Sequence, residues 1–241
     1  MTQTTIAPNQ QPHARLDRRG MRRIAQVLVT DALLGAIMFL CAGRLDWWAA
    51  WAYLAMAIGG SAIIGLTIGR TNPEVINQRG DTREGQKGWD KVLIAIYGVF
   101  SVAVFAVAGL DAGRYGWSDM AAVFRVLGVL GLVVEFWMIW WVMANNAFLS
   151  TVVRVQADRG HQVATTGPYR IVRHPMYVAL ILLWLATPLF LGSWWAMVPA
   201  ALCIACLVVR TALEDRTLQA ELPGYTEYAQ QTRYRLLPGL W

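Results

Sequence analysis

The sequence has few charged residues for its length. Asp, Glu, Lys and Arg make up 15% of its 241 residues, whereas a typical soluble domain contains about 25%. Hydrophobic residues make up 56%, and they are gathered in long runs separated by short polar segments. Such runs are typical of helices that cross a membrane. The composition therefore argues against a soluble domain and indicates one helical membrane domain.

Cysteine is also scarce. The three cysteines, Cys41, Cys203 and Cys206, all lie in apolar surroundings. Cys203 and Cys206 have C-x-x-C spacing. A zinc site of this type requires a second pair of ligands, and the sequence has none. We interpret them as small apolar residues on one helix face, and we expect neither a metal site nor a redox pair.

The net charge of +6 raises the alternative of a nucleic-acid partner. The basic residues, however, stand between apolar segments instead of forming one basic surface. Their distribution is explained by membrane topology, so we expect the lipid bilayer as a partner and no nucleic acid.

Six apolar segments approach or exceed the length that a spanning helix needs, which is about 20 residues for about 30 Å of hydrocarbon. They are predicted at 24–42, 47–68, 92–110, 121–147, 176–191 and 194–209. The predicted fold is an all-α polytopic membrane bundle, in which only Gly192 and Ser193 clearly separate the last two helices, as in a hairpin. Residues 1–23 are predicted to form a disordered basic cytoplasmic arm, and residues 24–147 form the first four spans. The first span is longer than a signal-peptide core and lacks a clear cleavage site, so it is expected to be retained.

The Lys and Arg residues predict the orientation. When the loops are assigned alternately to the two sides, all but Arg44, Arg114 and Arg125 fall on one side. Positive charge remains cytoplasmic, so both termini are expected in the cytoplasm, with a bacterial inner membrane as the expected location. Tryptophans such as Trp117 and Trp194 then lie near the opposite interface, where aromatic residues are enriched.

Two acids, Asp31 and Glu135, lie inside apolar runs. Ionisable residues in a membrane are costly and are functional candidates by default, but for both residues the favoured explanation is a buried polar contact that fixes helix packing. Asn145 and Asn146 end the fourth apolar segment, where they either cap its carbonyls or line a pocket.

The segment after the fourth span contains a first polar cluster. Gly167 and Pro168 indicate a turn, and Pro175 suits the first turn of the next helix. Arg173 and His174 then lie at the start of a membrane helix, where the N–H groups and the helix dipole favour an anion. The alternative is a basic anchor for lipid headgroups.

Two further clusters follow. Arg210 and Glu214 are four residues apart and share a helix face; with Asp215 they either hold a cationic group or form surface ion pairs. The tail at 222–241 mixes basic, aromatic and apolar residues, which by itself indicates a segment that lies on the membrane surface.

In this order, the clusters resemble the isoprenylcysteine carboxyl methyltransferase family and its relatives, the phospholipid N-methyltransferases. The resemblance covers about residues 145–241, and a loop at 72–91 resembles one bacterial branch. Asp215 is a departure, because the family often has a second Glu there. The matching elements are the Gly-Pro-Tyr turn at 167–170, the Arg-His-Pro-x-Tyr motif at 173–177, the acidic pair Glu214–Asp215, the tyrosines Tyr225 and Tyr228, and the ending at 235–241.

The resemblance implies S-adenosylmethionine as the cofactor, bound at the cytoplasmic membrane surface by a methyltransferase core at 148–241 and covered by the tail. Arg173 and His174 are expected to hold its carboxylate, and Glu214 its ammonium or ribose. Arg173 and Glu214 are the predicted catalytic residues. The predicted cofactor-binding residues are Gly167, Pro168, Tyr169, Arg173, His174, Pro175, Tyr177, Glu214, Asp215 and Tyr228. The predicted substrate-orienting residues are Glu135, Asn145, Asn146, Arg210 and Arg233.

The expected reaction is methylation of a lipophilic or lipidated acceptor, with O-methylation of a carboxylate favoured over N-methylation of an amine or phospholipid and S-methylation of a thiol. Two other functions remain open. Sterol reductases resemble the same C-terminal helices but bind NADPH. A transporter or a lipid-binding protein has no need of a methyl donor, but it is expected to show an internal repeat or polar residues in the middle of several spans, and here the polar residues cluster at one membrane face.

Overall fold

The computed structural model of the chain describes residues 15–80 and 85–241. These residues form helices and connecting loops, without a strand, so the predicted all-α class is confirmed. A π-helix, Gly109–Tyr115, continues α4, and short 3-10 helices occupy Ala157–Arg159 and Gly167–Arg170. The α-helices are α1 (Arg18–Ala42), α2 (Trp48–Thr71), α3 (Pro73–Arg79), α4 (Gly88–Ala108), α5 (Ala122–Asn145), α6 (Pro175–Leu191), α7 (Met197–Glu221) and α8 (Tyr225–Gln231).

Five of the described helices are long and apolar enough to cross a membrane: α1, α2, α4 with its π-helical continuation, α5 and α7. The fifth predicted span along the chain corresponds to α6. It is also apolar, but its 17 residues cover only about 26 Å at 1.5 Å per residue. Large apolar side chains such as Leu33, Ile63 and Leu130 are more than half exposed. The chain is therefore a polytopic helical membrane protein, with apolar side chains that face outward toward lipid.

Two predicted boundaries were wrong, because hydropathy marks the edge of the membrane and not the end of a helix. Helix α1 begins at Arg18, where the Asp17 side chain accepts hydrogen bonds from the N–H groups of Arg19 and Gly20. Residues 18–23 are thus helical instead of disordered, and residues 1–14 of the predicted arm lie outside the described residues. Helix α7 continues past residue 209 to Glu221, and this extension carries the acidic pair of the candidate site.

Helices α5 and α6 pack closely through glycines. A Cβ on Gly128 of α5 would lie 2.4 Å from the backbone nitrogen of Phe190 in α6. Arg125 of α5 donates to the carbonyls of Phe190 and Leu191, each at 3.2 Å, and so satisfies the end of α6. Small residues let membrane helices approach in this way, and the contact fixes α6 against the bundle.

Gly128→Ala is expected to lower the free energy of unfolding by about 1–3 kcal/mol, the usual range for an overpacked contact. The matched control is Gly59→Ala in α2, where no atom lies within 4 Å of the added Cβ, so that only the helix propensity changes. The melting temperatures of both variants in detergent are the measurement. Equal melting temperatures for the two variants would contradict this close packing of α5 on α6.

Candidate functional site

Asp215 is the centre of the polar cluster at one end of the bundle. The side chain is fully buried on α7, and Arg173 binds both of its oxygens, with Nε 2.8 Å from Oδ1 and Nη2 3.1 Å from Oδ2. Arg235 of the tail donates to Oδ2 at 2.8 Å. Two guanidinium groups thus neutralise one buried carboxylate and connect α7, the loop before α6 and the tail.

His174, Tyr225 and Gln219 also contact Asp215, and the side-chain amide of Gln219 donates to Oδ2 at 2.8 Å. The hydroxyl group of Tyr225 donates to Oδ1 at 3.1 Å, and His174 Nε2 lies 3.2 Å from the same oxygen. Burial and the neighbouring Asp215 carboxylate raise the pKa of Tyr225 above its ordinary value, so the hydroxyl stays protonated and able to donate.

Arg173 also fastens the tail. Its Nη1 donates to the carbonyls of Thr232 and Arg233, at 3.0 and 2.8 Å, and its backbone N–H donates to Tyr234 at 2.9 Å. Most of the donors of Arg173 therefore have partners inside the protein. These contacts give Arg173 a structural role, and its predicted role as the carboxylate ligand of a cofactor stays a prediction.

A cavity of about 240 Å³ lies beside this cluster. Its walls come from the end of α3, the loop between α5 and α6, the start of α6, the extended end of α7, and α8. Of the predicted cofactor residues, the lining includes Tyr169, Arg173, His174, Pro175, Tyr177, Glu214 and Tyr228. Of the predicted substrate residues, it includes Asn146 and Arg210.

Glu214 faces the cavity, whereas its neighbour Asp215 faces the tail. Successive residues of an α-helix point about 100° apart, so α7 presents the two acids to different surroundings. Glu214 accepts a hydrogen bond from the hydroxyl group of Tyr177, and the guanidinium group of Arg210 lies 5.6 Å from the centre of the Tyr177 ring. An acid, a phenol and a guanidinium group thus adjoin one another in the cavity wall.

Arg210 is held by Asp90, a residue that the sequence analysis did not assign to the site. Asp90 is fully buried in the first turn of α4. It accepts from Arg210 Nε at 2.7 Å, from Gln86 at 2.9 Å and from the backbone N–H of Val153 at 2.9 Å. In the sequence, Asp90 is visible as an acidic residue in the first turn of an apolar helix. Acidic residues are common at helix starts, so this position alone does not indicate a functional residue.

The remaining predicted residues lie outside the cavity lining. Glu135 is buried in α5, with one carboxylate oxygen that has no partner among the described residues. Arg233 is exposed and contacts Arg173 through its carbonyl oxygen. Asp215 and Pro168 are buried, but neither is among the lining residues.

Asn145 and Gly167 form a packed turn near the cavity. Asn145 donates to the carbonyl of Trp141 at 2.9 Å and accepts from Thr166 at 3.2 Å, so it joins the last turn of α5 to the Gly-Pro-Tyr turn. Gly167 has a φ of 57°, and a Cβ there would lie 2.5 Å from the side chain of Asn145. The conformation and the close approach both require glycine, which gives the Gly-Pro-Tyr turn a structural role.

The cavity also includes basic residues that were not among the predicted site residues, namely Arg79, Arg154 and His161. Burial and the positive charges of Arg159 and Arg154 lower the pKa of His161 to about 4, so its ring is neutral at pH 7. Among the described residues, no group of three or more His, Cys, Asp or Glu side chains is arranged to hold a metal ion.

Comparisons with known proteins give one family and two related proteins. Residues 123–222 match the model of the family described as phospholipid methyltransferase. The cobalt-zinc-cadmium resistance protein CzcN of Cupriavidus metallidurans is 30% identical over 141 residues, which are 56% of this chain and 60% of that protein. The nickel-cobalt-cadmium resistance protein NccN of Alcaligenes xylosoxydans xylosoxydans is 27% identical over 141 residues, or 56% and 61% of the two chains. The chain thus spans about three fifths of the length of each relative.

Proposed function

We propose that the chain, whose residues 123–222 match the model of the phospholipid methyltransferase family, is a membrane enzyme that transfers a methyl group from S-adenosylmethionine to a lipophilic acceptor. The observation that carries the proposal is the cavity of about 240 Å³ beside the Arg-His-Pro-x-Tyr motif, because Tyr177, Glu214 and Tyr228 all line it. The family match supports methyl transfer, and the membrane helices support an acceptor that reaches the site from the bilayer.

The groups in the cavity wall suit the proposed cofactor. Tyr169, Tyr177 and Tyr228 offer ring faces to adenine or to the sulfonium cation. Glu214, the acidic residue of the lining, suits the ammonium group or the ribose hydroxyls. The cavity volume is slightly smaller than that of most small-molecule pockets, which is about 300–1,000 Å³. A bound cofactor therefore has to extend out of the cavity or move the loop at 146–166 outward.

The cofactor supplies an electrophilic methyl group on a sulfonium sulfur, and the residues of the chain bind and orient the two reactants. Positioning provides much of the rate in such a displacement, because the reacting atoms must be close and aligned. Tyr177 fixes Glu214 through its hydrogen bond. Asp90 fixes Arg210, whose guanidinium group orients the acceptor, and Asn146 orients the hydroxyl group of Tyr169 with a hydrogen bond of 2.7 Å.

We favour O-methylation of a carboxylate, because a carboxylate attacks without losing a proton, whereas an amine needs a base. Phospholipid N-methylation and thiol S-methylation use the same cofactor and are distinguished by the product. We further propose that both termini and the cavity lie on the cytoplasmic side, since most Lys and Arg residues gather at that end of the helices.

The cofactor claim is tested by isothermal titration of the purified protein with S-adenosylhomocysteine, with NADPH as the alternative ligand. We expect one saturable site for S-adenosylhomocysteine and none for NADPH. Ala164 lines the cavity, so Ala164→Trp is expected to weaken binding about tenfold by filling part of the volume. Ala157 is exposed on the same loop and does not line the cavity, so Ala157→Trp is the matched control.

Three results count against this proposal. A folded protein that binds no S-adenosylhomocysteine removes the methyltransferase assignment. Saturable NADPH binding supports a reductase instead. Equal S-adenosylhomocysteine affinities for the two tryptophan variants, both with native melting temperatures, would place the ligand outside this cavity.

A further inference from the structure

The arginines that line the cavity differ in their partners. Arg173 and Arg210 are each bound to a buried carboxylate, Asp215 and Asp90 respectively. Arg154 lies 3.4 Å from the side-chain oxygen of Gln78. Arg79 also lines the cavity, yet none of the hydrogen bonds and ion pairs of the described residues involves its side chain. Among the described residues, Arg79 therefore presents a positive charge to the cavity with no carboxylate bound to it.

The surroundings of Arg79 make this charge costly. The side chain is partly buried at the end of α3. Burial and the nearby charges of Arg23 and Arg210 lower the pKa of Arg79 below its ordinary value. A buried charge is normally paired, and here the pairing group is absent from the described protein residues. An anionic group of a ligand in the cavity would supply it.

Arg79 is also held in a fixed position, because α3 is docked on α1. Asn77 accepts from the backbone N–H of Asp17 and donates to the carbonyl of Arg15, both at 3.1 Å. A Cβ on Gly80 would lie 1.9 Å from the carbonyl oxygen of Arg19, so only glycine permits this approach. A guanidinium group on a fixed backbone binds with a smaller loss of conformational entropy than one on a mobile loop.

We infer that Arg79 binds the carboxylate group of a ligand in this cavity, through the planar fork that a guanidinium group offers to a carboxylate. The inference rests on the proposed function, in which two ligands carry this group: the cofactor, through its amino-acid end, and the favoured acid acceptor. It assigns to Arg79 a role that the sequence motif had suggested for Arg173, because Arg173 already binds Asp215 and the tail.

The experiment compares Arg79→Gln with the wild type in two titrations. The first uses S-adenosylhomocysteine and its decarboxylated analogue, S-adenosyl-3-thiopropylamine. If Arg79 holds the cofactor carboxylate, the wild type binds S-adenosylhomocysteine more tightly than the decarboxylated analogue. Arg79→Gln then raises the dissociation constant of S-adenosylhomocysteine about tenfold and leaves that of the analogue unchanged. The second titration uses decanoate, with decanol as the neutral control, on protein saturated with S-adenosylhomocysteine. If Arg79 holds the acceptor, Arg79→Gln weakens only decanoate, again about tenfold.

Two variants control these titrations. Arg79→Lys keeps the positive charge but loses the fork, so we expect affinities between those of the wild type and Arg79→Gln. Arg70→Gln removes an exposed charge in the last turn of α2, outside the cavity, and is expected to change neither titration. Because Arg79 makes no hydrogen bond or ion pair with a described residue, Arg79→Gln is expected to keep the native melting temperature.

The outcomes separate the inference from the function on which it rests. If the wild type binds S-adenosylhomocysteine, and Arg79→Gln changes the affinity for neither S-adenosylhomocysteine nor decanoate, the inference is overturned and the function stands. If the wild type binds no S-adenosylhomocysteine, the function fails and the cofactor role of Arg79 with it. In that case decanoate is titrated into the protein alone, and decanoate binding that does not depend on Arg79 would overturn the acceptor role as well.

Discussion

Asp215→Ala is expected to lower the free energy of unfolding by about 3–5 kcal/mol, the range for removing one partner of a buried ion pair. The Asp215 side chain is fully buried, and Arg173, which binds both of its oxygens, is 7% exposed. Without the carboxylate, the guanidinium groups of Arg173 and Arg235 lie next to each other with no anion between them. We expect the tail to detach first, because the Arg235 contact is at its edge.

The measurement is the melting temperature in detergent, together with trypsin cleavage after Arg233 and Arg235. The matched control is Glu221→Ala, which removes an acid from the end of the same helix. Glu221 forms an ion pair with Lys87 at 2.7 Å, but its side chain is 43% exposed, and such surface pairs contribute about 0–1 kcal/mol. An Asp215→Ala protein as stable and as protected from trypsin as Glu221→Ala would show that the tail is held by other contacts.

The helical membrane fold was predictable because its signal is local. A run of about 20 apolar residues is visible in the sequence without any knowledge of what it contacts, and the predicted spans all correspond to helices. The end of α7 was missed for the same reason. From Arg210 to Glu221 the side chains are largely polar, so hydropathy falls although the backbone hydrogen bonds continue to Glu221.

The family was also predictable, because its motifs have a fixed order along the chain, and the match over residues 123–222 confirms that recognition. The motifs show which residues occur together but not which atoms bond. Arg173 and Asp215 were both expected to contact the cofactor, whereas the structure binds them to each other. Their pairing, across 42 positions of the chain, follows from the packing of α7 beside the start of α6.

Asp90 and Arg79 show what the motifs could not supply. Asp90 reaches Arg210 across 120 positions of the chain, and both Asp90 and Arg79 precede the matched segment. Both lie in the loop at 72–91 that resembles one bacterial branch, but that resemblance gave neither residue a role. Their relation to the cavity depends on how α3 and α4 pack against the loop at 146–166, which is a property of the whole bundle.

Glu214→Gln is expected to raise the dissociation constant for S-adenosylhomocysteine about 10- to 100-fold. The change keeps the shape of the side chain and removes its charge, and a hydrogen bond to a charged group contributes about 1.5–3 kcal/mol, where 1.4 kcal/mol corresponds to about tenfold. Tyr177→Phe removes the hydroxyl group that donates to Glu214 and leaves the carboxylate in place. We expect a smaller loss for that variant, because Glu214 keeps its charge but is less well oriented.

Titration calorimetry with two ligands shows which cofactor group Glu214 binds. If Glu214 accepts from the ammonium group, Glu214→Gln lowers the affinity for S-adenosylhomocysteine but not for its deaminated analogue. If Glu214 accepts from the ribose, the affinity falls equally for both ligands. Glu227→Gln is the matched control, because Glu227 is exposed on α8 outside the cavity lining. An unchanged affinity in Glu214→Gln, beside normal binding by the control, would rule out Glu214 as a cofactor ligand. The acid of the cavity wall would then serve the acceptor or the stability of α7.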